Sequence, residues 1–131
     1  MPDETAVVTP ADSLYRRLTA FAVNADGTVN SAAFKHRGKP DPQPSVDLAR
    51  LTNPEKCLHF GGMPELGVGE LSAKVPLENN LTVQHSPDLQ TGNEAHCLIL
   101  GNHTKLTCRL LAEATVVIIQ PEQRPPTEPE S

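Results

Sequence analysis

The chain has no tryptophan and only four aromatic rings, Tyr15, Phe21, Phe34 and Phe60, in 131 residues. A core built mainly of Leu, Val, Ile and Ala is therefore expected. No stretch approaches the roughly 20 apolar residues of a membrane-spanning helix. The basic excess that binding to nucleic acid or an anionic membrane requires is also missing, because the formal net charge is −5. Cysteine is sparse and odd in number (Cys57, Cys97 and Cys108), and no C-x-x-C occurs, so a disulfide framework is not indicated. Residues 1–9 carry Asp3 and Glu4 and no basic n-region, which argues against a signal peptide. Reduced thiols in a cytoplasmic protein follow. The sequons at Asn80 and Asn102 then carry no weight.

Proline, by contrast, is abundant at 13 residues, about twice average usage, and much of it lies at the chain's end and in one loop. Residues 1–8 are short and acidic and read as a flexible N-terminus. The stretch after Gln120, PEQRPPTEPES, holds no large apolar side chain to offset ordering entropy, so 121–131 reads as a disordered tail. Residues 9–120 read as one domain, a size that can bury its own core.

Within it, Thr9-Pro10-Ala11-Asp12 resembles a helix start, with Thr9 as cap, Pro10 in the first position and Asp12 at the positive dipole end. Leu14, Tyr15 and Leu18 would share one face, with Arg16 and Arg17 outside. Asp26-Gly27 between apolar runs predicts a hairpin whose second strand runs on towards Phe34. Lys35 to Ser45, with alternating prolines, predicts an exposed loop. Val46 to Leu51 favours a strand. Asn53-Pro54-Glu55 opens a helix of about one turn, and Leu66 to Val75 reads as a strand with an internal glycine bulge. A turn over Pro76 to Asn80, a strand at Leu81 to Val83 and a loop over Ser86 to Asn93 follow.

The last third is the plainest. Ala95 to Leu100 is almost continuously apolar and predicts a strand buried on both faces. Thr104 to Ala114 predicts a helix with Leu106, Leu110, Leu111 and Ala114 inward, and Lys105, Arg109 and Glu113 on a solvated face. Thr115 to Ile119 is β-branched and predicts a second buried strand. The class expected is α+β: a small mixed sheet of about five or six strands with two or three short helices, ending in strand–helix–strand.

Four groups of residues have the chemistry for a site. Cys57, His59, His85, His96, Cys97, His103 and Cys108 are ligand types for zinc, but their spacing fits no familiar pattern, so no metal or other cofactor is expected. His96, His59 and Cys97 are the candidates for acid–base or thiol chemistry, with Glu94 or Asp88 as a carboxylate, although no nucleophile signature surrounds them. His103, Thr104 and Lys105 lie where a helix N-terminus could hold an anion, against the plainer reading of a cap; Gly67-Val68-Gly69 is a weaker version of the same idea. Lys35, His36, Arg37 and Lys39, with Arg16 and Arg17, could form a basic patch for RNA, a nucleotide or an acidic protein. Only Phe34 there could stack on a base. Without a catalytic motif, the expected function is a non-catalytic interaction or regulatory module, such as an accessory subunit of a bacterial multi-protein system, with another protein as partner. The alternatives are a small enzyme or ligand-binding protein with a cleft at His59, His96 and His103, and a zinc protein.

Overall fold

The computed structural model describes residues 6–36, 39–61 and 66–121. The fold is α+β. Its strands are β1 (Ser13–Leu18), β2 (Lys35–His36), β3 (Lys39–Pro40), β4 (Ser45–Leu48), β5 (Gly67–Ser72), β6 (Thr82–His85), β7 (His96–Leu100) and β8 (Val116–Ile119). Three α-helices join them: α1 (Pro54–Gly61), α2 (Lys74–Glu78) and α3 (Lys105–Glu113). Six strands form one sheet in the order β6-β7-β4-β1-β5-β8, and β2 pairs with β3 alone. Every pairing is antiparallel.

The main departure from expectation is β1. Thr9 and Asp12 do form a hydrogen-bonded turn, with Asp12 Oδ2 accepting from Thr9 N at 2.9 Å. The chain then runs extended through the middle of the sheet instead of coiling. Leu14 and Leu18 are four apart, a spacing that keeps them on one side of either a helix or a strand. Both are fully buried. Arg16 also turns inward. Its guanidinium donates to Ala33 O at 2.9 Å and Ser45 O at 2.6 Å and lies 5.3 Å over the Phe34 ring. Burial lowers its pKa to about 10, which still leaves it charged at neutral pH.

The Asp26-Gly27 turn forms, with Gly27 at φ +90° as only glycine adopts readily. The flanking strands shrink to one bridge, Val23 with Val29. Residues Ser31–Phe34 make a 3-10 turn instead of continuing a strand. The proline-rich segment after it is not wholly exposed either: β2 and β3 pair there, and Pro44 is buried. The strand expected over Val46 to Leu51 forms as β4 but ends at Leu48, and Ala49–Leu51 is a 3-10 turn. Asn53 caps α1 through Lys56 N at 2.9 Å, and the helix runs two turns rather than one. The β5 register shifts against β8 between Val68 and Gly69, the irregularity its glycines suggested. Gly67 and Gly69 here serve close packing: a Cβ at Gly67 would strike the Ile119 carbonyl and Pro121, and one at Gly69 would meet Thr115 Cγ2 at 2.5 Å.

The closing β7–α3–β8 order is present, but its burial differs from expectation. Only Cys97 and Ile99 of β7 are buried. Helix α3 buries Cys108, Leu111 and Ala112, while Leu106 is 55% exposed. Small residues at 108 and 112 let α3 lie close on the Ser31–Phe34 turn, where Cys108 Sγ donates to Phe34 O at 3.4 Å. Among the described residues strand β8 is an edge, not a centre, with Val116 65% and Ile118 40% exposed. One apolar core forms between the sheet and α3, around Leu14, Leu18, Phe34, Leu48, Ile99 and Leu111. The opposite face carries α1 against β1 and β5. Among the described residues, no helix is long and apolar enough to cross a membrane.

Candidate functional site

Beneath α1 lies a polar cluster that no sequence signal singled out. Asp47 is fully buried. Its Oδ2 pairs with Arg17 NH1 at 3.0 Å, and its Oδ1 accepts from Asn93 Nδ2 at 3.0 Å. The same Arg17 nitrogen donates to Cys57 O at 3.0 Å and Cys57 Sγ at 3.3 Å. Burial, then the nearby Asp47 charge, pushes both Cys57 and Cys97 up to about 12. Burial also raises Cys108, against the pull of Lys35. All three thiols are free and buried. At neutral pH they are protonated packing groups, poorly suited to nucleophilic attack.

The candidate histidines fall in different places. His96, on the face of β7 opposite Cys97, bonds through Nδ1 to Ser86 O at 2.8 Å. His103 Nε2 donates to Ile99 O at 2.9 Å, leaving a buried Nδ1 without a partner. His85 accepts from Ala6 N through Nδ1 at 2.7 Å and, through Nε2, donates to Glu94 O at 2.6 Å. Cys57 and His59 both sit on α1. Two residues apart on a helix is about 200° of rotation, so Cys57 points inward and His59 to solvent. Among the described residues, no three His, Cys, Asp or Glu side chains converge as metal ligands would. His59 lines a cleft of about 260 Å³ with Lys56, Phe60 and Glu94, a cleft that neither His96 nor His103 lines. Thr52, whose buried Oγ1 has no partner among the described residues, also lines it. Asp88 is used locally, its Oδ1 accepting from Gln90 N at 3.1 Å.

Two of the sequence candidates do meet. Lys35, from the basic run, and Lys105, from the start of α3, line one cleft of about 270 Å³ with Arg109, one turn further along the helix, and Leu106. Thr104 caps α3, its hydroxyl accepting from Thr107 N at 3.1 Å. His36 and Lys39 are exposed on the small hairpin, and Arg37 lies outside the described residues. Arg16 and Arg17 do not join this patch, because each is bound inside the fold. Phe34 cannot stack on a base, being fully buried.

The basic cleft adjoins a larger groove of about 740 Å³, with Ser31 and Arg109 lining both. One wall of that groove is the Asn24–Ser31 turn. The other is formed by the last turns of α3 and the start of β8, including Glu113, Val116 and Val117. Compared with known family models, with curated proteins and with solved structures, the chain matches none. Its own surface is therefore the guide to what it does. Of the residues lining this groove, the sequence pattern places Arg109 on a solvated helix face and Val116 in a buried strand. The i, i+4 pairing of Lys105 with Arg109 was the available signal. Nothing in the local sequence marked Val116 as exposed.

Proposed function

We propose that this chain is a non-catalytic protein-interaction module, acting as an accessory or regulatory subunit, whose docking face is the groove along α3 and the free edge of β8. One observation carries the reading. Edge strands are ordinarily blunted by charge, proline or a covering element, because their unpaired N–H and C=O groups invite another strand. Strand β8 reads Val-Val-Ile-Ile, pairs among the described residues with β5 on one side only, and leaves Val116 and Ile118 in water. The opposite edge, β6, reads Thr-Val-Gln-His; it exposes Thr82 and Gln84 and buries Val83 and His85. The contrast fits an edge kept apolar for strand addition by a partner. Three buried, free thiols fit a reducing compartment such as the cytoplasm.

The test is a photoreactive benzophenone side chain placed at Ile118 in the full chain within its host cell, with Leu89, exposed elsewhere on the surface, as control. The expected result is a discrete protein adduct from position 118 and none from position 89, lost when Val116→Lys is added. No adduct from 118, or the same adducts from both, refutes the reading. A second reading, a small polar ligand in the His59 cleft, is favoured by the unpartnered Thr52 hydroxyl beside Lys56 and Glu94. It requires a ligand that moves the His59 ring resonances while leaving those of His96 and His103 in place.

A further inference from the structure

We infer that the cleft of Lys35, Lys105 and Arg109 receives acidic side chains of a partner segment whose apolar part continues along β8; this rests on the interaction reading above. The three cations come from two separate elements, β2 and α3, and face one cleft. Among the described residues no carboxylate lines it and none of the three is in an ion pair. On a body of net charge −5, three unpaired cations sharing a concave surface make a local positive field where a carboxylate-bearing chain gains most. Asp41 is the carboxylate acting nearby: it bears on Cys108, as Lys35 does from the opposite sign. It does not line the cleft.

Leu106 decides between partner classes. It sits among the cations, 55% exposed, an apolar surface that a phosphate backbone bound to those cations would leave uncovered. An acidic segment carrying one aliphatic residue would cover it. A single-stranded nucleic acid would need stacking rings, and the ring closest in sequence, Phe34, is buried.

The groove also has a direction. Arg109 lies at the shared boundary, while Glu113, one turn on, lines only the larger groove. Glu113 repels a carboxylate placed there, so acidic residues are directed to the Lys35–Lys105 end. The apolar, strand-forming part is then directed to Val116 and Val117. Pro121 follows closely after β8 and is buried; it has no N–H to extend the ladder, so the added strand is short.

The test is fluorescence anisotropy with a labelled peptide carrying three glutamates, one leucine and an alternating valine–threonine run. It is compared with its glutamine counterpart and with a single-stranded oligonucleotide of equal charge. The glutamate peptide is expected to bind full-length protein at least about tenfold more tightly than the glutamine peptide, more weakly as salt rises. Lys105→Glu and Arg109→Glu should each weaken it by about tenfold. Arg109→Lys should retain most binding, and all variants should melt with wild type because both side chains are exposed. Equal binding of the two peptides, tighter binding of the oligonucleotide, no effect of charge reversal, or no binding overturns the inference. Two other occupants are also distinguished. If Glu122→Gln, Glu128→Gln and Glu130→Gln together strengthen peptide binding, the chain's own C-terminal segment is the occupant and the partner assignment fails. It fails too if wild type self-associates in sedimentation and Arg109→Glu does not. Failure of the peptide with the position-118 adduct intact removes only the acidic partner; loss of the adduct removes the interaction reading itself.

Discussion

Removing the Asp47 carboxylate should cost far more stability than its single ion pair suggests. Asp47 has no solvent exposure, and the Arg17 side chain keeps only 19%. In Asp47→Ala the Arg17 charge remains largely buried with, among the described residues, only Cys57 O and Sγ left as hydrogen-bond acceptors, and Asn93 Nδ2 loses its acceptor at 3.0 Å. Stranding one member of a buried pair typically costs about 3–5 kcal/mol. A domain of this size holds about 5–15 kcal/mol in all, so the variant should be much closer to unfolding. Arg17→Met strands Asp47 in turn and should cost a similar amount. The double variant strands neither charge and should be more stable than the sum of the two losses by about 1–3 kcal/mol. The exposed pair Arg50–Asp12, at 2.8 Å, is the internal control: Arg50→Ala should cost no more than about 1 kcal/mol. With no tryptophan, urea unfolding is best followed by far-ultraviolet circular dichroism. A loss below about 1 kcal/mol for Asp47→Ala, or a strictly additive cycle, would refute the picture of a desolvated, mutually dependent cluster.

Native protein should react with a thiol reagent at neutral pH only as fast as it opens, and all three cysteines should become reactive on unfolding in guanidinium; rapid labelling of Cys57 or Cys97 in native buffer would contradict their burial. Because the folded thiols of Cys57 and Cys97 are raised from 9.0 to about 12, the unfolded chain loses their protons first as the medium becomes alkaline. Stability from this source is full below pH 9 and declines between pH 9 and about 12. Replacing both cysteines by alanine should flatten that decline, and an unchanged slope would show that other groups cause it. Gly67→Ala should destabilise by about 1–3 kcal/mol through overpacking and raise amide exchange first along β8, since the new Cβ meets the Ile119 carbonyl and Pro121. Uniform protection with no loss of stability would show that β8 can shift without cost.

Several elements could be read from residues alone because their signals are short-range. The Asp26-Gly27 turn needs only a glycine at positive φ, and the starts of α1 and α3 need only the oxygens of Asn53 and Thr104 within reach of the first free N–H groups. The alternation of strand, helix and strand over Ala95–Ile119, and with it the α+β class, follows from apolar period and β-branching. For the site, Lys35 and Lys105 were recognisable as cations but not as neighbours.

What remained required the assembled sheet. Leu14 and Leu18 satisfy helix and strand spacing alike, and only pairing with β4 and β5 makes that segment the middle of the sheet. Val-Val-Ile-Ile has the composition of a buried strand; that it became an edge depends on which strands lie beside it, information carried by no residue within it. Arg16 turned inward because carbonyls of Ala33 and Ser45 awaited it there, and Asp47 became a buried charge because Arg17 and Asn93 arrived from other parts of the chain. Local preference thus decided turns, caps and class, since those depend on neighbours a few bonds away. Burial, edge position and the meeting of cations depend on contacts between distant segments, so the tertiary structure alone decided them.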